Sequence, residues 1–160
     1  MSKTKQMAKD SKKLRGFFRI NITEDGKGVV GDSGWCENQL TNLGINQYLL
    51  NWLAGDTGSG KSVTHMALGT GGAPASNATA LGGEVEVRAA VSTSIIASRT
   101  AQFTANFASS ASFVTTTQSL SNVGLFNTSS GGTLFAGNTF ASSSVASNQS
   151  INASYNIQLS

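Results

Sequence analysis

Residues 151–159 read Ile151-Asn152-Ala153-Ser154-Tyr155-Asn156-Ile157-Gln158-Leu159. Apolar side chains hold the odd positions and polar ones the even positions. Successive side chains of a strand point to opposite faces, so this period of two marks a strand with one face on a core and the other in solvent. Ile151, Ala153, Tyr155, Ile157 and Leu159 are expected inward. Asn152, Ser154, Asn156 and Gln158 are expected outward.

Working back from this stretch, the opposite end of the chain repeats the pattern. In Leu14–Thr23, Phe18, Ile20 and Ile22 share one face and Phe17, Arg19 and Asn21 the other. Glu24-Asp25-Gly26-Lys27 is a turn, and residues 28–31 return as the second arm of a hairpin. Asp32-Ser33-Gly34-Trp35 reads as a polar corner anchored by its tryptophan. Thr41 or Asn42 can cap a helix over about 41–54 whose apolar residues are Ile45, Tyr48, Leu49, Trp52 and Leu53, the amphipathic spacing. Gly55 stands where a helix ends. Residues 62–69 read as a strand and 70–83 as a long loop around Pro74, the one proline. Residues 84–108 read as two strands or one bent one, with Glu84, Glu86 and Arg88 on one face. Residues 111–126 and 133–140 read as strands joined by the turn 127–132. About seven to nine strands with one helix define a mainly β chain, an antiparallel, jelly-roll-like β-sandwich over 16–160. Residues 1–15 form a basic N-terminal arm.

Charge is distributed unevenly. The arm carries Lys3, Lys5, Lys9, Lys12, Lys13 and Arg15 against Asp10 alone. No Asp, Glu, Lys or Arg follows Arg99, and 28 of residues 101–160 are Ser, Thr or Asn. Charged residues make up 12 % of the chain, about half the usual share. Surface charge keeps a monomer soluble and blunts strand edges. A long uncharged half fits a surface covered by neighbours, because burying a charge costs more than burying a hydroxyl that finds a partner. A Ser/Thr-rich secreted adhesin or carbohydrate-binding β domain is the rival reading of the same composition. The arm lacks aromatics for base stacking, so docking on a neighbouring protein is expected of those six basic residues rather than nucleic-acid binding. One cysteine, Cys36, can form no internal disulfide. No apolar run reaches membrane-span length, and no apolar h-region follows the N-terminal lysines.

Catalytic constellations fail individually. Gly55-Asp56-Thr57-Gly58-Ser59-Gly60-Lys61-Ser62 matches the phosphate-loop pattern. That chemistry needs a strand before the loop and a helix after it; here the expected order is the reverse. His65 is the only histidine, and a triad needs an oriented acid beside it. One His and one Cys make a poor transition-metal set. Asp25, Asp32 and Asp56 lack calcium-loop spacing. Glu84 and Glu86 are close in sequence but have no sugar-binding aromatics around them. No enzyme activity, cofactor or metal is expected.

Three ordered stretches carry a resemblance. Leu40-Thr41-Asn42-Leu43-Gly44-Ile45 follows Asp32-Ser33-Gly34-Trp35. His65-Met66-Ala67-Leu68-Gly69-Thr70-Gly71 with Ala73-Pro74 precedes Thr79-Ala80-Leu81-Gly82-Gly83-Glu84-Val85. Val123-Gly124-Leu125-Phe126-Asn127 precedes Gly131-Gly132-Thr133-Leu134-Phe135-Ala136. Together they resemble small virion proteins of tailed bacteriophages, over residues 32–140. The resemblance implies a structural component of a phage particle, assembled in the host cytoplasm. A capsid cement or decoration protein is the leading expectation, and a tail, baseplate or fibre subunit the alternative. Its partners would be capsid or tail proteins and further copies of itself, three copies being favoured. No functional residues carry over, since the matching positions are turn and packing residues.

Overall fold

A computed structural model of the chain describes residues 13–55 and 62–160. Against an expected seven to nine strands, eleven are found among the described residues, three of them only two residues long, and they build two antiparallel sheets. They are β1 (Leu14–Glu24), β2 (Gly28–Asp32), β3 (Cys36–Glu37), β4 (Gln39–Leu40), β5 (His65–Gly69), β6 (Ala89–Ala90), β7 (Ser92–Ala97), β8 (Thr100–Phe107), β9 (Gln118–Phe126), β10 (Leu134–Val145) and β11 (Gln149–Leu159). The first sheet runs β2-β1-β11-β8-β7, with β3 also paired to β1. The second runs β4-β10-β9-β5-β6. The mainly β, antiparallel sandwich expected from the alternation is the fold.

The two chain ends lie side by side. β1 and β11 pair without a break from Leu14↔Leu159 to Glu24↔Gln149. On its other side β11 pairs with β8, from Ile151↔Phe107 to Gln158↔Thr100. Both alternating stretches therefore put one set on the core over most of their length, but the period runs out at the end of β11, where Ile157 is half-buried and Leu159, expected inward, is exposed. Phe18, Ile20, Ile22, Ile151, Ala153 and Tyr155 are buried. The Phe18 ring stacks on Tyr155 with centroids 5.7 Å apart and meets Phe140 of the second sheet edge-on. Each such pair contributes about 1 kcal/mol beyond the area it buries. The Tyr155 hydroxyl accepts a hydrogen bond from Asn38 Nδ2 at 2.5 Å, so the one polar atom of this ring is satisfied.

Where the alternation is lost, the cause is burial on two faces. Met66, Ala67 and Leu68 of β5 are all buried, as is Val123 through Phe126 of β9. One face meets the sandwich core. The other, Ala67 with Phe126 and Leu134, is covered by Leu81 and Ala78 of the long loop 70–88. Asn122, wholly buried, ties that loop down by donating from Nδ2 to the carbonyls of Gly72 and Gly82.

Several expectations are corrected. Residues 84–88 are not a regular strand; Glu84 makes a single bridge to Gly69, and pairing starts at Ala89. The expected strand 111–126 begins only at Gln118, after a short 3₁₀ turn at Ser109–Ala111. The expected strand 133–140 continues to Val145. Trp35 does not anchor its corner, since it is 51 % exposed. Leu14 and Arg15 belong to β1, so the sandwich starts inside the segment assigned to the arm.

The helix is present over residues 42–53, and we term it α1. Thr41 caps it, accepting from the Gly44 N–H at 2.8 Å while its hydroxyl donates to the Leu134 carbonyl. The middle, Ile45–Leu50, is wound as a π-helix, and the wider turn rotates the expected stripe. Among the described side chains of α1, Tyr48 and Gly44 are buried, whereas Leu49, Leu50 and Leu53 are exposed. The side chain of Trp52 lies outside the described residues. The expectation of a full stripe packed on a sheet is thus corrected: Tyr48 is buried and tilts against Phe135 with centroids 5.0 Å apart, while Leu49 and Leu53 of that stripe face outward.

Candidate interaction surface

Lys3, Lys5, Lys9 and Lys12 lie outside the described residues, as do Asp56 to Lys61 of the phosphate-loop pattern. Of the six basic arm positions, Lys13 and Arg15 are placed. Both are exposed, and the Lys13 backbone exchanges two hydrogen bonds of 2.8 Å with Ser160. Arg15 stands opposite Gln158. The arm therefore leaves from the end of the first sheet where β1 and β11 close the chain. Around the phosphate-loop pattern the order is α1 before and β5 after, the reverse of a phosphate cradle.

The remaining candidates resolve into structural contacts. His65 Nδ1 shares a hydrogen bond with Thr64 Oγ1 at 2.9 Å, and burial plus the nearby Arg88 charge lower its pKa. Cys36 is half-buried, its thiol directed at the carbonyls of Ser33 and Gly34. Among the described residues no three His, Cys, Asp or Glu side chains gather as a metal site, and no helix is long and apolar enough to cross a membrane.

Arg88 and Glu84, expected side by side on one face of a strand, form a clamp in the loop instead. The Arg88 side chain is 6 % exposed. Its Nε and Nη2 donate to the two Glu84 carboxylate oxygens, and Nη1 donates to the carbonyls of Thr128 and Gly131. The guanidinium also lies over the Phe126 ring, 3.5 Å from its centroid. A planar fork serves all these partners at once. The clamp fastens the 127–133 turn to the loop that covers the second sheet. No local period signals it, because the acceptors are backbone carbonyls about forty residues away.

At the β1–β2 end the charged side chains are paired with one another. Arg19 pairs with Asp32 through two hydrogen bonds, and Gly34 N–H adds a third to the same carboxylate. These bonds hold the Asp32 pKa down to about 2. Glu24 is lowered by Lys27 and Gln149.

The opposite side of the first sheet is neutral. Its outer face carries amide pairs, Asn106 Nδ2 to Asn152 Oδ1 at 2.6 Å and Gln102 Nε2 to Asn156 Oδ1 at 3.1 Å. A groove of about 550 Å³ runs there between β6–β7 and β8–β11, its polar lining drawn from Ser92, Thr104, Asn106, Asn152 and Ser154. The end of this sheet also overhangs the second sheet. A cleft of about 610 Å³ opens between the overhang (Thr93, Ala101, Phe103 and Ile157) and Tyr48 and Leu49 of α1. The outermost strand, β7, is exposed at all six positions, with Ile95 at 74 % and Ile96 at 50 %. Sequence reasoning missed this edge. The signal available was a strand-forming run, Ser92–Ala97, flanked by Arg88 and Arg99 and holding no charge itself.

Compared with known protein families, with curated proteins and with solved structures, the chain matches none.

Proposed function

We propose that the chain is a non-enzymatic structural subunit of a larger assembly. The particle of a tailed phage is the assembly that the sequence resemblance favours, with a capsid cement or decoration role first. The observation that carries the reading is where the uncharged half goes. Strands β8 to β11 come entirely from residues 100–159 and supply central strands to both sheets. The outer face that β8 and β11 present is built of amides and hydroxyls. Such a surface loses little on burial against a neighbour, since its polar groups can exchange water for new hydrogen bonds. The basic residues 3–12, which precede β1, would reach across to an acidic neighbour.

Particles purified from the producing host test the reading. Mass spectrometry should find the chain in multiple copies per particle, and antibody labelling should place it on the shell. A chain confined to the soluble fraction would overturn the proposal. A variant lacking residues 1–12 keeps β1 whole and should load poorly while its circular dichroism stays unchanged. Unchanged loading removes the arm from the mechanism.

A second reading, a fibre or adhesin domain contacting surface glycans, is favoured by the neutral amide and hydroxyl groove around Asn106 and Asn152. Glycan-array binding lost in Asn152→Ala would support it over the shell.

A further inference from the structure

We infer that the end of the sandwich where β1 meets the close of β11 is a docking surface for an acidic segment of a partner protein, one that carries carboxylates and apolar side chains together. The inference rests on the assembly reading and names the surface and the chemistry of one contact within it.

Charge pairing singles this end out. Six Lys and Arg side chains fall among the described residues. Arg19, Lys27 and Arg88 each pair with an acid, namely Asp32, Glu24 and Glu84. The other three, Lys13, Arg15 and Arg99, are exposed and have no ion pair among the described residues. These three converge. The Lys13 backbone is hydrogen-bonded to Ser160, Arg15 stands opposite Gln158, and the Arg99 carbonyl accepts from the Leu159 N–H. All three thus flank the last residues of β11. Two strand spacings separate Arg15 on β1 from the start of β8, where Arg99 stands, a distance of about 10 Å. That is within the ~10 Å screening length, so the cations repel one another and an anionic partner relieves the repulsion. Glu37, opposite Phe17, lies on the far side of β1 from β11. The basic segment with Lys3, Lys5, Lys9 and Lys12 enters β1 at this same end. Arg99 adds a second sign. It holds φ 82°, a left-handed conformation that glycine takes without steric cost. Glycine would serve the turn better, so what the arginine contributes there is its charge.

Apolar surface lies beside the charge. The cleft of about 610 Å³ between α1 and the overhanging sheet is at this end, since Ile157 and Ala101 in its wall stand two residues from Leu159 and Arg99. Leu49 in the same wall and Leu159 at the strand end are both exposed. Nucleic acid bound without sequence preference stacks its bases on aromatic side chains, whereas the exposed large hydrophobics described at this end, Leu49, Leu53, Ile95 and Leu159, are aliphatic. A bilayer presents a broad, flat surface, while the cleft is concave and takes separate side chains. Carboxylates on the three cations with apolar side chains in the cleft is the arrangement an acidic polypeptide segment supplies.

Fluorescence anisotropy of a short labelled peptide alternating Glu and Leu, titrated with the full chain, tests the surface. The peptide should bind, and versions alternating Glu with Ser or Lys with Leu should bind about tenfold more weakly or less. Arg15→Gln together with Arg99→Gly should weaken binding about a hundredfold. The melting temperature should hold in that variant, because position 15 is exposed and glycine suits the turn at 99. A chain lacking residues 1–12 should still bind the Glu–Leu peptide. No binding of that peptide, equal binding of the Lys–Leu version, indifference to the double variant or loss of all binding with residues 1–12 overturns the inference. Tighter binding to single-stranded DNA or to phosphatidylglycerol vesicles than to the peptide overturns it as well. Recovery of the wild-type chain in purified particles reads the assembly proposal separately, so the two can fail independently.

Discussion

Asp32 shows how one exposed carboxylate can be bound closely without being buried. Arg19 supplies two donors and the Gly34 backbone a third. These bonds favour the ionised form, which lowers the pKa to about 2. A depressed carboxylate contributes stability that is present above its unfolded pKa of about 3.9 and is lost as pH falls through the folded value. Asp32→Asn should therefore lower the melting temperature slightly at neutral pH. The gap to the wild type should close between about pH 4 and pH 2, as thermal melts across that range will show. A gap that persists below pH 2 would assign the effect to the changed hydrogen bonds. Arg88 differs in kind. Its charge is buried and answered by Glu84, two carbonyls and an aromatic face, so it fixes loops in place.

At the level of elements, α1 is held by close approach more than by its apolar stripe. A Cβ added at Gly44 would stand 2.1 Å from the Phe135 carbonyl oxygen, a backbone atom of β10 that cannot step aside. Gly44→Ala, favourable for helix propensity by about 1 kcal/mol, should instead destabilise the chain by about 2 kcal/mol through overpacking. Urea unfolding followed by tryptophan fluorescence checks the sign; stabilisation would show that α1 can lift from β10 at no cost. The π-wound centre has a consequence for surface chemistry. It turns Leu49, Leu50 and Leu53 outward, the last 66 % exposed, beside the cleft that borders β7. An edge strand and a helix thus both leave apolar groups exposed near one end of the sandwich.

Across the whole molecule, cooperativity follows from the position of β11. It is the last strand in sequence but lies between β1 and β8 in the first sheet. Its Ile151 and Tyr155 are wholly buried beneath the second sheet. Removing residues 149–160 would split the first sheet, leaving the facing edges of β1 and β8 without a partner and opening the core, so the truncated chain should show no cooperative thermal transition by circular dichroism. A folded truncation would mean that the second sheet and its covering loop are stable alone.

The alternating runs at both chain ends, the hairpin at Asp25–Lys27 and the cap at Thr41 were all legible in the sequence. Each is a local pattern written by side-chain period or by one turn residue. The neutral half was equally legible, since composition needs no fold. Placement was not. That β1 pairs with β11 is a contact across the whole chain, and nothing in either strand names its partner. The doubly covered β5 and β9 lost their period because the loop over residues 70–88 folds back on them. The Arg88 clamp depends on carbonyls from a distant turn, and the exposed face of α1 on the winding of its middle. The amino-acid sequence thus determined a neutral antiparallel sandwich, because period and charge are local. Only the tertiary structure decided which edge stays open, because a strand becomes an edge through its neighbours' arrangement.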